Sequence, residues 1–86
     1  MDDIVLGVRE ILDDYAKLAK PAANLELKTD LFATGLDSMA VVNVMLALEE
    51  RFDIEFPESR LTRAAFADIQ SIATAVRQAL EDLYVA

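Results

Sequence analysis

Neither cysteine nor histidine occurs among the 86 residues, and tryptophan is missing as well. Their absence excludes disulfides, thiolate nucleophiles, the usual zinc ligand sets, imidazole general bases and a Ser-His-Asp triad. Most routes to catalysis by this chain alone are closed, and no metal site is expected. Glycine and proline are scarce too, at two each, with no internal repeat and no low-complexity tract. At 55% apolar residues the chain is too hydrophobic for disorder. Its length suits one domain, residues 1–86, that buries only about 60–65% of its unfolded surface.

Positive charge is the next shortage. Eight Lys and Arg stand against 16 Asp and Glu, a formal net charge of −8. That field repels phosphate backbones and anionic headgroups, so neither nucleic acid nor a membrane is an expected partner. A basic patch on another protein is, because opposite potentials raise encounter rates. Long hydrophobic runs are also missing: Met39 to Leu48 is ten residues long, interrupted by Asn43, and too short to span a bilayer. The acidic start Met1-Asp2-Asp3 is unlike a signal peptide, which needs a basic region there. A cytoplasmic monomer is the expectation.

What is present is helical periodicity. Ile4, Val5, Val8, Ile11, Leu12, Tyr15 and Leu18 recur on one face of a first helix, with Asp2 and Asp3 at its start and Lys17 and Lys20 before Pro21. From Ala19 to Leu36 no period persists. Leu25, Leu27, Leu31, Phe32 and Leu36 are too apolar to leave in water, so this stretch is expected to be a long loop pinned over the helices. Thr29 or Asp30 could cap one short turn running to Gly35. A second helix is expected from Asp37 or Ser38 to Phe52, burying Val42, Val44 or Met45, Leu48 and Phe52. Met39, Val41 and Leu46 then fall on or near its other side, facing solvent. Pro57 breaks that helix, and Ile54 and Phe56 read as core plugs on a connector. Thr62 to Phe66 reads as a short helix, and Asp68 caps a last helix carrying Ile69, Ile72, Val76, Leu80 and Leu83. Tyr15, Phe66 and Tyr84 read as packing. The expected fold class is all-α, a small four-helix bundle with three main helices, one short helix and a long first loop.

The stretch Leu31-Phe32-Ala33-Thr34-Gly35-Leu36-Asp37-Ser38-Met39 brings a hydroxyl to the start of a helix after a hydrophobic anchor and a glycine turn. With the long loop before it and Glu49-Glu50-Arg51-Phe52-Asp53-Ile54-Glu55-Phe56-Pro57 after the second helix, it resembles the acyl carrier protein family over about residues 4 to 83. The resemblance implies a 4′-phosphopantetheine arm on Ser38, taken from coenzyme A, whose thiol holds cargo as a thioester. Asp37 reads equally as a cap of the second helix, and the resemblance also implies its contact with a phosphopantetheinyl transferase. Met39 and Leu46 match the family's partner-facing positions, and Glu49 opens an acidic run that suits basic partner surfaces. Implied partners are that transferase, an acyl or aminoacyl ligase and a downstream acyl acceptor enzyme. A helix N-terminus suits the anionic diester, and a carrier needs no catalytic base of its own.

Fatty-acid carriers commonly place acidic residues just after the modified serine, whereas Ala40, Val41 and Asn43 stand here. The more apolar helix start is similar to stand-alone aminoacyl carrier proteins loaded by ligases resembling seryl-tRNA synthetases. Fatty-acid or polyketide carriage is the alternative cargo. In a different class of reading, Ser38 is only a helix cap and Met39 and Leu46 bind a partner helix in a non-carrier adaptor. A serine hydrolase lacks a base for Ser38, and Lys17, Lys20 and Lys28 form no motif that supplies one.

Overall fold

The computed structural model describes residues 3–84, so Asp2 lies outside the described residues and Tyr84's side chain outside the described side chains. Four α-helices run as α1 Asp3–Tyr15, α2 Leu31–Thr34, α3 Ser38–Phe52 and α4 Ile69–Tyr84. Short 3-10 turns sit at Ala22–Asn24, Glu58–Arg60 and Ala64–Phe66. No strand occurs among the described residues, as the all-helical reading expects. The short α-helix is α2, and the segment read as a short helix from Thr62 is instead the single turn Ala64–Phe66.

Three carboxylates start helices. Asp30 accepts from the N–H groups of Phe32 (3.0 Å) and Ala33 (3.3 Å), Asp37 from Ala40 (2.8 Å) and Asp68 from Ser71 (2.6 Å). Each satisfies donors that have no partner inside the helix. α1 packs on both α3 and α4 around one apolar core, whose fully buried members include Val8, Leu12, Leu31, Val44, Leu48, Ile69, Ile72 and Val76. Gly7 permits the α1–α3 approach, since a Cβ there would lie 2.6 Å from the Phe52 ring. Ile54 and Phe56 plug the core as expected, and Phe56 meets Phe66 edge to face with centroids 6.3 Å apart.

Several side chains fall otherwise than the periodicity suggested. The buried seam of α3 runs through Val44 and Leu48 with Val41, Met45 and Phe52 half-buried beside it, so Val42 is turned out at 51% exposure and Val41 inward. Leu27, Tyr15 and Leu83 are exposed rather than packed. α1 stops at Tyr15, short of Leu18, because the chain turns away to let the Ala19 N–H donate to the Thr34 carbonyl at 2.9 Å.

The long loop is held by polar groups as well as by Leu25, Leu31 and Leu36. Arg9 donates to the carbonyls of Ala22 and Leu25, and Asp13 accepts from the Ala22 N–H at 2.7 Å. At the other side Leu31 N–H donates to Ala67 and Gln70 N–H to Leu27. Loop and bundle thus share hydrogen bonds that burial alone would leave unmade. The turn into α3 uses Gly35 at φ +126°, where a Cβ would stand 2.9 Å from the Lys17 carbonyl. Gly35→Ala is therefore expected to lower unfolding free energy by about 1–3 kcal/mol in urea melts. An unchanged midpoint would mean the turn relaxes freely.

Candidate functional site

Ser38 is the first residue of α3 and is exposed. Its position follows from the turn before it: Leu31 and Leu36 are both buried, the Leu36 N–H donates to the Leu31 carbonyl at 2.9 Å, and Gly35 reverses the chain between them. Asp37 then adopts extended backbone (φ −112°, ψ 173°) and its carboxylate caps the helix through Ala40. The cap is thus Asp37, and the reading of Ser38 as the capping side chain does not hold. Ser38 Oγ has no hydrogen-bond partner among the described residues, and neither do the N–H groups of Ser38 and Met39. The site combines an available hydroxyl with the positive end of a 15-residue helix.

No base contacts Ser38, and no group of acidic side chains among the described residues is arranged to hold a metal ion. Beside Ser38 lies an apolar cavity of about 320 Å³ between α3 and the chain after Pro57, walled by Phe32, Val41, Met45, Leu61 and Phe66. Arg63 stands at this cavity with its guanidinium carbon 3.9 Å above the centre of the Phe32 ring. Leu61 and Arg63 were not singled out by sequence, because neither a connector nor a single helical turn carries a signal for which side chains line a cavity.

Along α3 the expected partner residues Met39 and Leu46 are exposed at 78% and 53%. Val42 joins them at the intervening i+3 position, so the three form one apolar stripe leading away from Ser38. Glu49 is half-buried, and its Oε2 accepts from the Phe56 N–H at 2.9 Å, a bond that ties the connector to α3 and that sequence reasoning missed.

The sequence profile described as "Phosphopantetheine attachment site" matches residues 7–77, a span that contains Ser38 and all its supports. The chain belongs to this phosphopantetheine-bearing carrier protein family. An aminoacyl carrier protein of Agrobacterium fabrum is 43% identical over 74 residues, covering 86% of this chain and 89% of the relative. A D-alanyl carrier protein of Lacticaseibacillus casei is 38% identical over 74 residues, covering 85% and 89%. Among solved structures, a complex of an engineered Bradyrhizobium japonicum glycine:[carrier protein] ligase with a carrier protein from Agrobacterium tumefaciens and ATP contains a similar chain. That match has a TM-score of 0.83 and 41% identity, and covers 87% of this chain and 97% of the other. The prosthetic group of the family is 4′-phosphopantetheine, and the chain is a carrier rather than an enzyme. An exposed serine oxygen, unpaired helix N–H groups and an apolar cavity alongside fit a covalently held arm with an anionic root.

Because Asp37 caps α3 and Ser38 does not, Asp37→Ala should cost about 1 kcal/mol of stability and Ser38→Ala less than about 0.5 kcal/mol. Parallel urea melts of the two variants check this, and equal losses would contradict the assignment of the cap.

Proposed function

We propose that Ser38 bears the 4′-phosphopantetheine arm and that the loaded group is an amino acid, attached by an amino acid:carrier ligase. The observation that carries the first part is the free, exposed Ser38 hydroxyl at the head of α3, beside the capping Asp37. When bound, the group supplies a terminal thiol that holds cargo as a thioester. This chain's own residues would present and orient the attachment: Gly35 and Asp37 fix where α3 begins, and the first-turn N–H groups would favour the anionic root.

Support for aminoacyl cargo comes from the similarity to aminoacyl and D-alanyl carrier proteins and to a carrier seen with a glycine-activating ligase. The lack of acidic residues in the first turn of α3 points the same way, away from a surface selected for the partners of fatty-acid carriers. Met39, Val42 and Leu46 form the contact stripe for the ligase, and Asp37 contacts the phosphopantetheinyl transferase. Glu49 stands at the far end of the stripe and adds negative charge to it. A downstream acyl acceptor enzyme completes the cycle, and the chain acts in the cytoplasm as a monomer and a single domain.

The test is loading of the phosphopantetheinylated protein by an amino acid:[carrier protein] ligase with ATP and glycine, alanine or serine, read by intact mass. A gain of one aminoacyl group is expected, and none for Ser38→Ala. Loading by fatty acids alone would overturn the cargo assignment. Leu46→Lys should slow aminoacyl loading by roughly tenfold, the effect of losing an interface contact worth about 1.4 kcal/mol. Its melting temperature should stay near that of the parent, and a large drop would place Leu46 in the core instead.

A further inference from the structure

The cavity beside Ser38 is lined by apolar side chains apart from Ser38, Thr62 and Arg63, and Arg63 is the only charged one among them. Arg51 pairs with Glu10 and Arg60 with Asp82, while Arg9 holds two loop carbonyls. Arg63 has no carboxylate within ion-pair distance among the described residues, although acidic side chains outnumber basic ones two to one. What it has is the face of Phe32, 3.9 Å from the guanidinium carbon. A cation seated over a ring is held in place while its N–H donors stay available to an oxygen acceptor. Capping commits the carboxylates of Asp37 and Asp30 to backbone N–H groups, Asp37 to that of Ala40 and Asp30 to those of Phe32 and Ala33.

From this placement we infer that Arg63 is a positioning residue for the arm, donating to the phosphodiester that joins it to Ser38. The inference rests on Ser38 being the attachment residue. Ser38 and Arg63 line the same cavity, whose volume of about 320 Å³ is at the small end of ligand pockets. A phosphodiester on Ser38 Oγ would bring one negative charge and two unesterified oxygens to a cavity whose one cation, Arg63, has no carboxylate partner among the described residues. The planar guanidinium matches two such oxygens, which the point charge of a lysine does not. Helix N–H groups on one side and Arg63 on the other would then hold the root of the arm against the cavity mouth, limiting the directions in which the thiol can swing.

The experiment uses the whole protein before and after reaction with coenzyme A, magnesium and a phosphopantetheinyl transferase. Intact mass with peptide mapping first establishes the state of Ser38, and absence of an adduct there refutes the attachment and this inference together. With the adduct present, the Arg63 Nε–H cross-peak in a ¹⁵N–¹H spectrum should shift between the unmodified and modified protein. The ³¹P resonance of modified Arg63→Gln should differ from that of the parent, and added salt should move the parent's resonance toward the variant's. Arg63→Lys should restore the ³¹P position only in part. An Arg63 Nε–H peak that stays in place on modification, with one ³¹P position for parent and Arg63→Gln, overturns the role of Arg63 while leaving Ser38 as the attachment residue.

Discussion

The backbone reversal at Gly35 is the constraint on which the rest of the site depends. Its φ of +126° and the 2.9 Å approach of a would-be Cβ to the Lys17 carbonyl leave room for no side chain. Leu31 on one side of the turn and Leu36 on the other are both in the core, so the turn is anchored at each end. Ala19, paired to Thr34, ties it to the chain leaving α1. α3 can then begin at one place only, with Ser38 outside and Val44 inside. The long loop before the turn, which has few repeating contacts of its own, is kept in register by Arg9 and Asp13 from α1.

α3 consequently serves two surfaces. Val44 and Leu48 are fully buried against α1 and α4, while Met39, Val42 and Leu46 line the opposite face in water. Exposing three large apolar groups in a row gives up burial energy of about 25 cal/mol per Å² of area that a partner could cover. A carrier that must meet several enzymes in turn benefits from such a stripe, because apolar contact is nondirectional and adapts to different partner surfaces. The net charge of −8 would work with it by favouring encounters with basic surfaces.

Much of this was legible in the sequence because it rests on local rules. The caps at Asp30, Asp37 and Asp68, the glycine turn, the core plugs Ile54 and Phe56 and the exposed Met39 and Leu46 each follow from residue type at a given spacing. The motif around Ser38 also named the family that the profile match establishes. Where periodicity failed, a choice between neighbours was involved. Val41 and Val42 are equally apolar and only about 100° apart around the helix, so the side facing the core was set by α1 and α4 rather than by α3 itself. Leu27 and Leu83 lie where backbone hydrogen bonds or the end of the core decide the path, and apolarity alone overstated their burial. The contacts of Arg9 and Arg63 escaped because each side chain meets a segment distant in sequence, and the bond from the Phe56 N–H to Glu49 escaped because it spans the turn after α3, whose path is defined only once the chain has folded.

The central claim is that this fold exists to present one serine for modification. Its most direct test is the intact mass of the protein after coenzyme A, magnesium and a phosphopantetheinyl transferase, compared with Ser38→Ala treated alike. The account predicts a gain of one phosphopantetheinyl group, mapped to Ser38 and absent from a variant that is still folded. A folded, initially unmodified parent that gains nothing, or an adduct on another residue, would contradict it.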